Sequence, residues 1–129
     1  MIPVSLSLHG FLSYKGPVEV DFTQFDLACI SGSNGAGKSS ILDAFTWVLF
    51  GQARKNDDEA LINQGSDRAT VSLIFEYEGQ QYRVTRTKQR GKSALLELNI
   101  KDPEGSWKTH TEATLRDTDK SIRDILRLD

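Results

Sequence analysis

The alternation of apolar and polar residues lays out most of the chain before any motif is considered. In "VSLSLHGF", Val4, Leu6 and Leu8 recur at every second position, which predicts a strand with one buried face. Gly16-Pro17 punctuates the turn that follows, and Val18, Val20 and Phe22 resume the alternation, so the two segments read as a hairpin. "DLACIS", residues 26–31, is a continuous apolar run and predicts a central strand covered on both faces. Beyond a glycine-rich turn, Ile41, Leu42, Phe45, Val48 and Leu49 repeat at helical spacing. Ala44, Trp47 and Phe50 fill the other sides of this helix, which predicts deep burial with Trp47 in the core, and Gly51 stands just past its end. "QARKNDDEALINQGSDR" is polar and reads as a loop with one helical turn.

Three further strands are expected. Val71, Leu73, Phe75 and Tyr77 alternate, "QQYRVTRTK" pairs back across Glu78-Gly79-Gln80, and "ALLELNIKD" precedes the turn "DPEGS". Trp107 lies beside Gly105 as a surface or hairpin aromatic. In the tail, Leu115, Ile122, Ile125 and Leu126 follow helical spacing. Two helix starts fit: a capping box of Thr109 with Glu112, or a later start near Thr118, where Asp117 and Asp119 suit a helix N-terminus. The pattern leaves open whether this helix packs on the sheet or faces another part of the protein. About six strands, mostly antiparallel, and two main helices make an α/β fold in which one central strand feeds a helix.

Composition narrows this picture. The 129 residues suffice for one core, and 38% apolar with 26% charged residues is ordinary for a soluble domain. A net charge of −2 excludes a chain that is basic throughout, while a local basic patch stays compatible. The single cysteine, Cys29, has no internal disulfide partner and sits in an apolar run, as a buried, inert thiol does. "MIPVSLSLHG" lacks the layout of a signal peptide, and no run approaches the roughly 18 apolar residues of a membrane span, so a cytoplasmic protein without membrane contact is expected. His9 and His110 stand apart from carboxylates and cysteines at ligand spacing and are read as structural, with no zinc site.

Residues 32–39, "GSNGAGKS", match G-x-x-x-x-G-K-[ST] at every fixed position. Phosphate oxygens are best held by several backbone N–H groups converging at once, and that ring needs glycine conformations and close approach. The helix that follows adds a dipole favourable to an anion. Lys38 is positioned to reach β- and γ-phosphates, Ser39 to give its hydroxyl to magnesium, and Ser40 to donate to the α-phosphate. The other reading, a glycine turn with a surface lysine, lacks what is present here: an apolar strand before the motif and a strong helix after it.

"LHGFLSYKG" and "GSNGAGKSSILDAFTWVLFG" resemble the opening and the phosphate loop of SMC-like ATPase heads. "LINQGSDRATVSLIFEYEGQQYRVTRTKQRGKSALLEL" resembles one branch, the SbcC and Rad-fifty DNA-repair ATPases, and the resemblance runs from about Pro3 to Asp129. It implies the N-terminal lobe of an ABC-type P-loop ATPase head, residues 1–129, with a largely antiparallel sheet plus the P-loop strand and helix. It also implies ATP and Mg2+ as cofactors, the C-terminal half of the same head as partner, and a second head in an ATP-dependent dimer. An SbcD-type nuclease subunit and DNA complete the implied partners, at a cytoplasmic, nucleoid-associated location. Asn34, Gly35, Ala36, Gly37, Lys38, Ser39 and Ser40 match the family's phosphate loop, with Lys38 in the catalytic role and Ser39 at the metal. Ile62 to Gln64 stand where the family approaches adenine and ribose, and Leu12 and Ser13 where it borders the nucleotide. Leu12 departs from the arginine of many Rad-fifty members, and Tyr14 stands where others carry histidine or tyrosine.

The family's glutamine loop, coiled coil, signature motif, acidic Walker B strand and switch histidine have no counterpart here, and Asp57-Asp58-Glu59 sits in a polar loop. The chain is therefore expected to be the N-terminal piece of a larger ATPase, binding ATP without hydrolysing it. "RVTRTKQRGK", residues 83–92, carries five basic residues and no acidic one, and Arg86, Lys88 and Arg90 share one face by the period of two. These are either phosphate-backbone contacts to DNA or a solvated hairpin edge kept from pairing by its charge. A structural SMC-type DNA tether or loader without a nuclease is the alternative to the repair ATPase, and a Cys-x-x-Cys zinc hook in the coiled coil would separate them. A small-molecule phosphotransferase has no lid or acceptor pocket to support it.

Overall fold

β1 (Ile2–His9) and β2 (Val18–Asp21) form the first hairpin of a computed structural model that describes residues 2–12, 14–23, 36–51, 58–109 and 115–126. The chain continues with α1 (Ala36–Phe50), a 3-10 turn (Asp58–Leu61), β3 (Arg68–Tyr77), β4 (Gln80–Gln89), β5 (Leu95–Lys101), β6 (Trp107–Thr109) and α2 (Leu115–Leu126). The strands form one sheet of order β2-β1-β3-β4-β5-β6, antiparallel at every pairing.

The two-residue period becomes rows of side chains across the sheet. Val20, Leu6, Leu73, Val84 and Leu98 stand opposite one another on five successive strands, and all are buried. The neighbouring row runs Val18, Leu8, Val71, Arg86, Leu96. One charged residue thus occupies a position in an otherwise apolar row. The opposite face is polar, and the Ser72 and Thr85 hydroxyls meet across β3 and β4 at 3.0 Å.

α1 covers the apolar face against β3 and β4. Of residues 40–50, Thr46 alone is exposed, as its nearly all-round apolar surface predicts. Trp47 is fully buried, 5.5 Å between ring centroids from Phe11, and Phe45 meets Phe22 edge-on. The helix stops at Gly51, whose φ of +71° and 2.7 Å bond from its N–H to the Trp47 carbonyl make a left-handed cap. α2 packs on β5 and α1 through Thr118, Ile122 and Ile125, spaced at four and three residues, which answers the question its pattern left open.

The expected strand at 26–31, with Cys29, lies outside the described residues. Elsewhere the structure differs from the sequence reading in two places. The sixth strand is β6, a three-residue edge set up by the Asp102 carboxylate accepting from the Glu104 and Ser106 N–H groups. Three residues are too few to display an alternation. α2 starts at Leu115, between the two expected starts, because Thr109 is spent as the last residue of β6. No helix among the described residues is long and apolar enough to cross a membrane.

Candidate nucleotide site

The glycine-rich motif runs directly into α1. Its last residues, Ala36 to Ser39, form the first turn of the helix, which contains no acidic residue. The N–H groups at the start of a 15-residue helix, and its dipole, therefore favour an anion with no carboxylate of the first turn against them. Ser40 and Asp43, next along the helix, are buried. Asn34, Gly35 and Ser13 lie outside the described residues.

The two segments expected to border the nucleotide are brought together. Phe11 forms isolated bridges with both Tyr14 and Ile62, and the Leu12 N–H donates to the Leu61 carbonyl at 2.7 Å. Leu12 has a φ of +48°, a left-handed conformation that a branched side chain adopts only when its surroundings impose it. Asn63 imposes it. Its side-chain amide donates to the Leu12 carbonyl at 2.6 Å, its backbone N–H donates to the Gly10 carbonyl at 2.8 Å, and its side-chain oxygen accepts from the Gly65 N–H at 2.9 Å. Gly10 is required where it stands. Its φ is +65°, and a Cβ there would lie 2.2 Å from the Arg68 carbonyl oxygen.

Ile62 turns its side chain into the core, so this segment offers a ligand the Ile62 backbone and the exposed Gln64. Asn63 lay inside the expected segment, but its role in tying the two segments together was not read from the sequence. The signal was present, since an asparagine two residues before a glycine is an Asx-turn pattern.

The basic stretch at the end of β4 grips this same loop. Arg90 donates through Nε to the Ser66 carbonyl and through Nη2 to the Asn63 carbonyl, each at 3.1 Å, and through its N–H to the Asp67 carbonyl at 3.0 Å. The Gly91 N–H donates to the Glu59 carboxylate at 2.5 Å, and Lys88 Nζ lies 3.6 Å from the same oxygen. The Gly91 N–H, with Lys88 and Arg90 nearby, holds the Glu59 carboxyl below its ordinary range.

Three comparisons bear on what this geometry serves. The family model described as "AAA domain" matches residues 5–128. The SbcC protein of the SbcCD nuclease from Deinococcus radiodurans is 38% identical over 134 residues, covering 100% of this chain and 15% of that protein. The DNA double-strand break repair Rad50 ATPase of Thermoplasma volcanium is 39% identical over 101 residues, covering 78% of this chain and 11% of that protein. The SMC head domain from Thermotoga maritima superposes with a TM-score of 0.57 at 28% identity, covering 96% of this chain and 41% of that one.

The chain belongs to the AAA domain family, in its SbcC/Rad50 branch.

Its fold is that of the N-terminal lobe of an ABC-type head, and it spans a small fraction of the length of its SbcC/Rad50 relatives. In this SbcC/Rad50 lobe, position 12 engages the neighbouring loop through its backbone N–H and carbonyl. The expected basic face needs correction. Arg86 and Lys88 do share a face, but it is the inner one. Arg86 is 4% exposed, its Nη2 3.7 Å from Asp119 on α2, and so is not placed to meet a DNA backbone. Its charge is accepted inside because α2 supplies a carboxylate and α1 an aromatic face. Lys88 is largely covered and paired with Glu59, which leaves Arg90 as the exposed member of the three.

Proposed function

We propose that this lobe binds magnesium-ATP as the N-terminal part of an ATPase head that acts in DNA double-strand break repair with a nuclease subunit. The observation that carries the reading is the direct passage of "GSNGAGKSS" into a buried helix whose first turn lacks any acidic side chain. The names of the relatives, a nuclease component and double-strand break repair ATPases, supply the setting.

When bound, ATP would supply the phosphoryl group for transfer to water. The chain's own residues hold it. The backbone N–H groups of the glycine-rich segment would take the phosphate oxygens, Lys38 would offset charge on the β- and γ-phosphates, and Ser39 would give its hydroxyl to magnesium. Ser40 serves the α-phosphate. Leu12 and the 62–64 segment, tied together by Asn63, would border the base and ribose, with Ser13 next to them in sequence. Among the described residues none is suited to orient the attacking water. That group and the charge stabiliser come from the C-terminal half and from a second head. The exposed tip of the basic hairpin, residues 90–92, is the part of this lobe offered to DNA phosphates.

The likeness to an SMC head favours a second reading, a DNA tether or loader without a nuclease. Turnover measurements test the first. The chain alone is expected to bind magnesium-ATP without hydrolysing it, and mixing with the C-terminal half of the head, together with the nuclease subunit, is expected to restore turnover and end processing. ATP binding with restored turnover but no effect on the nuclease points to the second reading; no binding in either setting contradicts both.

A further inference from the structure

We infer that Arg90 is a positioning residue for the base end of the nucleotide, acting through the 63–66 turn; this rests on the nucleotide-binding reading above. The 63–66 segment is a turn closed by the Ser66 N–H donating to the Asn63 carbonyl at 2.9 Å. Arg90 spans it, with Nε on the Ser66 carbonyl and Nη2 on the Asn63 carbonyl. A planar guanidinium fixes two acceptors at once in a way that the single ammonium of lysine does not. The Arg90 N–H on Asp67 and the Gly91 N–H on Glu59 hold the flanks of the same loop.

What Arg90 fixes is not a remote loop. Asn63, whose carbonyl it holds, carries the Leu12 carbonyl and the Gly10 carbonyl on its other side. The chain of contacts thus runs from the hairpin tip through Asn63 to Leu12, which is in a conformation that it does not keep unaided. Both segments expected to border the base are held in register by one arginine from 27 residues further along the chain. The phosphate end depends on other structure. It is built on the first turn of α1, to which Arg90 makes none of these bonds.

The two ends can therefore be separated by ligand. Calorimetric titration of the chain with magnesium-ATP, and separately with magnesium tripolyphosphate, is made on wild type, Arg90→Ala, Arg90→Lys and Lys38→Ala. Arg90→Ala is expected to weaken ATP about tenfold while leaving tripolyphosphate within about twofold, the loss of oriented hydrogen bonds acting on the base end alone. Arg90→Lys is expected to fall between, and Lys38→Ala to weaken both ligands. Equal weakening of both ligands by Arg90→Ala, or of neither, overturns the inference and leaves the nucleotide reading standing. Wild type that binds tripolyphosphate as tightly as ATP, with Lys38→Ala still weakening both, also overturns it by removing any base contact. No binding of either ligand by wild type overturns the nucleotide reading itself, and this inference with it.

Discussion

The guanidinium of Arg86 lies over the indole of Trp47, 5.9 Å from the ring centroid, in the row of side chains that otherwise builds the core. Three elements meet at this arginine: β4 that carries it, α1 through Trp47 and the Gly51 cap, and α2 through Asp119. Asp119 also binds Arg123 one turn along α2 at 3.1 Å. Removing a buried charge that has such partners costs about 2–4 kcal/mol, with the lower end favoured here because Asp119 keeps Arg123 and some solvent. Arg86→Ala is expected to lower the unfolding free energy measured in urea by that amount, with a lower midpoint, and Arg86→Lys to recover only part of it, because lysine lacks the planar group that stacks. An unchanged midpoint contradicts a structural role for this residue.

Two glycines of the first hairpin region make a matched pair. A Cβ on Gly10 would lie 2.2 Å from the Arg68 carbonyl at a φ of +65°, whereas a Cβ on Gly16 would meet nothing within 4 Å. Gly10→Ala is expected to cost at least about 2 kcal/mol, and Gly16→Ala to fall within about 0.5 kcal/mol of wild type. Thermal denaturation of the two variants side by side checks the difference.

The β3–β4 turn carries a correctable strain. Tyr77 pairs with Gln80 across Glu78 and Gly79, whose φ values of +53° and +78° are those of a type I′ turn. Such a turn prefers asparagine or glycine at its first central position, so Glu78→Asn is expected to stabilise the fold by about 0.5–1 kcal/mol. A destabilised variant would show that the glutamate side chain matters more than its backbone.

The grip of the hairpin tip on Glu59 is pH-dependent. The Gly91 N–H lowers the Glu59 pKa in the folded state, so the contact stabilises fully above the ordinary value of 4.5 and is lost as pH falls through the lowered one. The difference in urea midpoint between wild type and Glu59→Gln is expected to stay constant from neutral pH down to that range. It then shrinks toward zero as wild type becomes protonated. A difference that grows on acidification contradicts the assignment.

Much of this was legible in the chain. The alternation in β1, β3, β4 and β5 and the helical spacing of Ile41 to Phe50 describe a sheet with one apolar face and a helix to cover it. The period of two also placed Arg86 with Lys88 on one face. It did not place that face inside, because the groups that accept the charge, Trp47 and Asp119, lie 39 residues before it and 33 after it, on separate helices. The Arg90 clamp was illegible for the same reason: its acceptors are backbone carbonyls, which every residue carries and no pattern marks. Local periodicity reports on neighbours in sequence, whereas these contacts are set by how the elements stack.

The claim on which the rest depends is that the turn before α1 holds a nucleotide's phosphates. Titration calorimetry of the chain with magnesium-ATP, beside Lys38→Ala, tests it directly. Saturable binding by wild type that Lys38→Ala weakens by about tenfold or more, about 1.4 kcal/mol, is the predicted result. Equal binding by the two chains would contradict it.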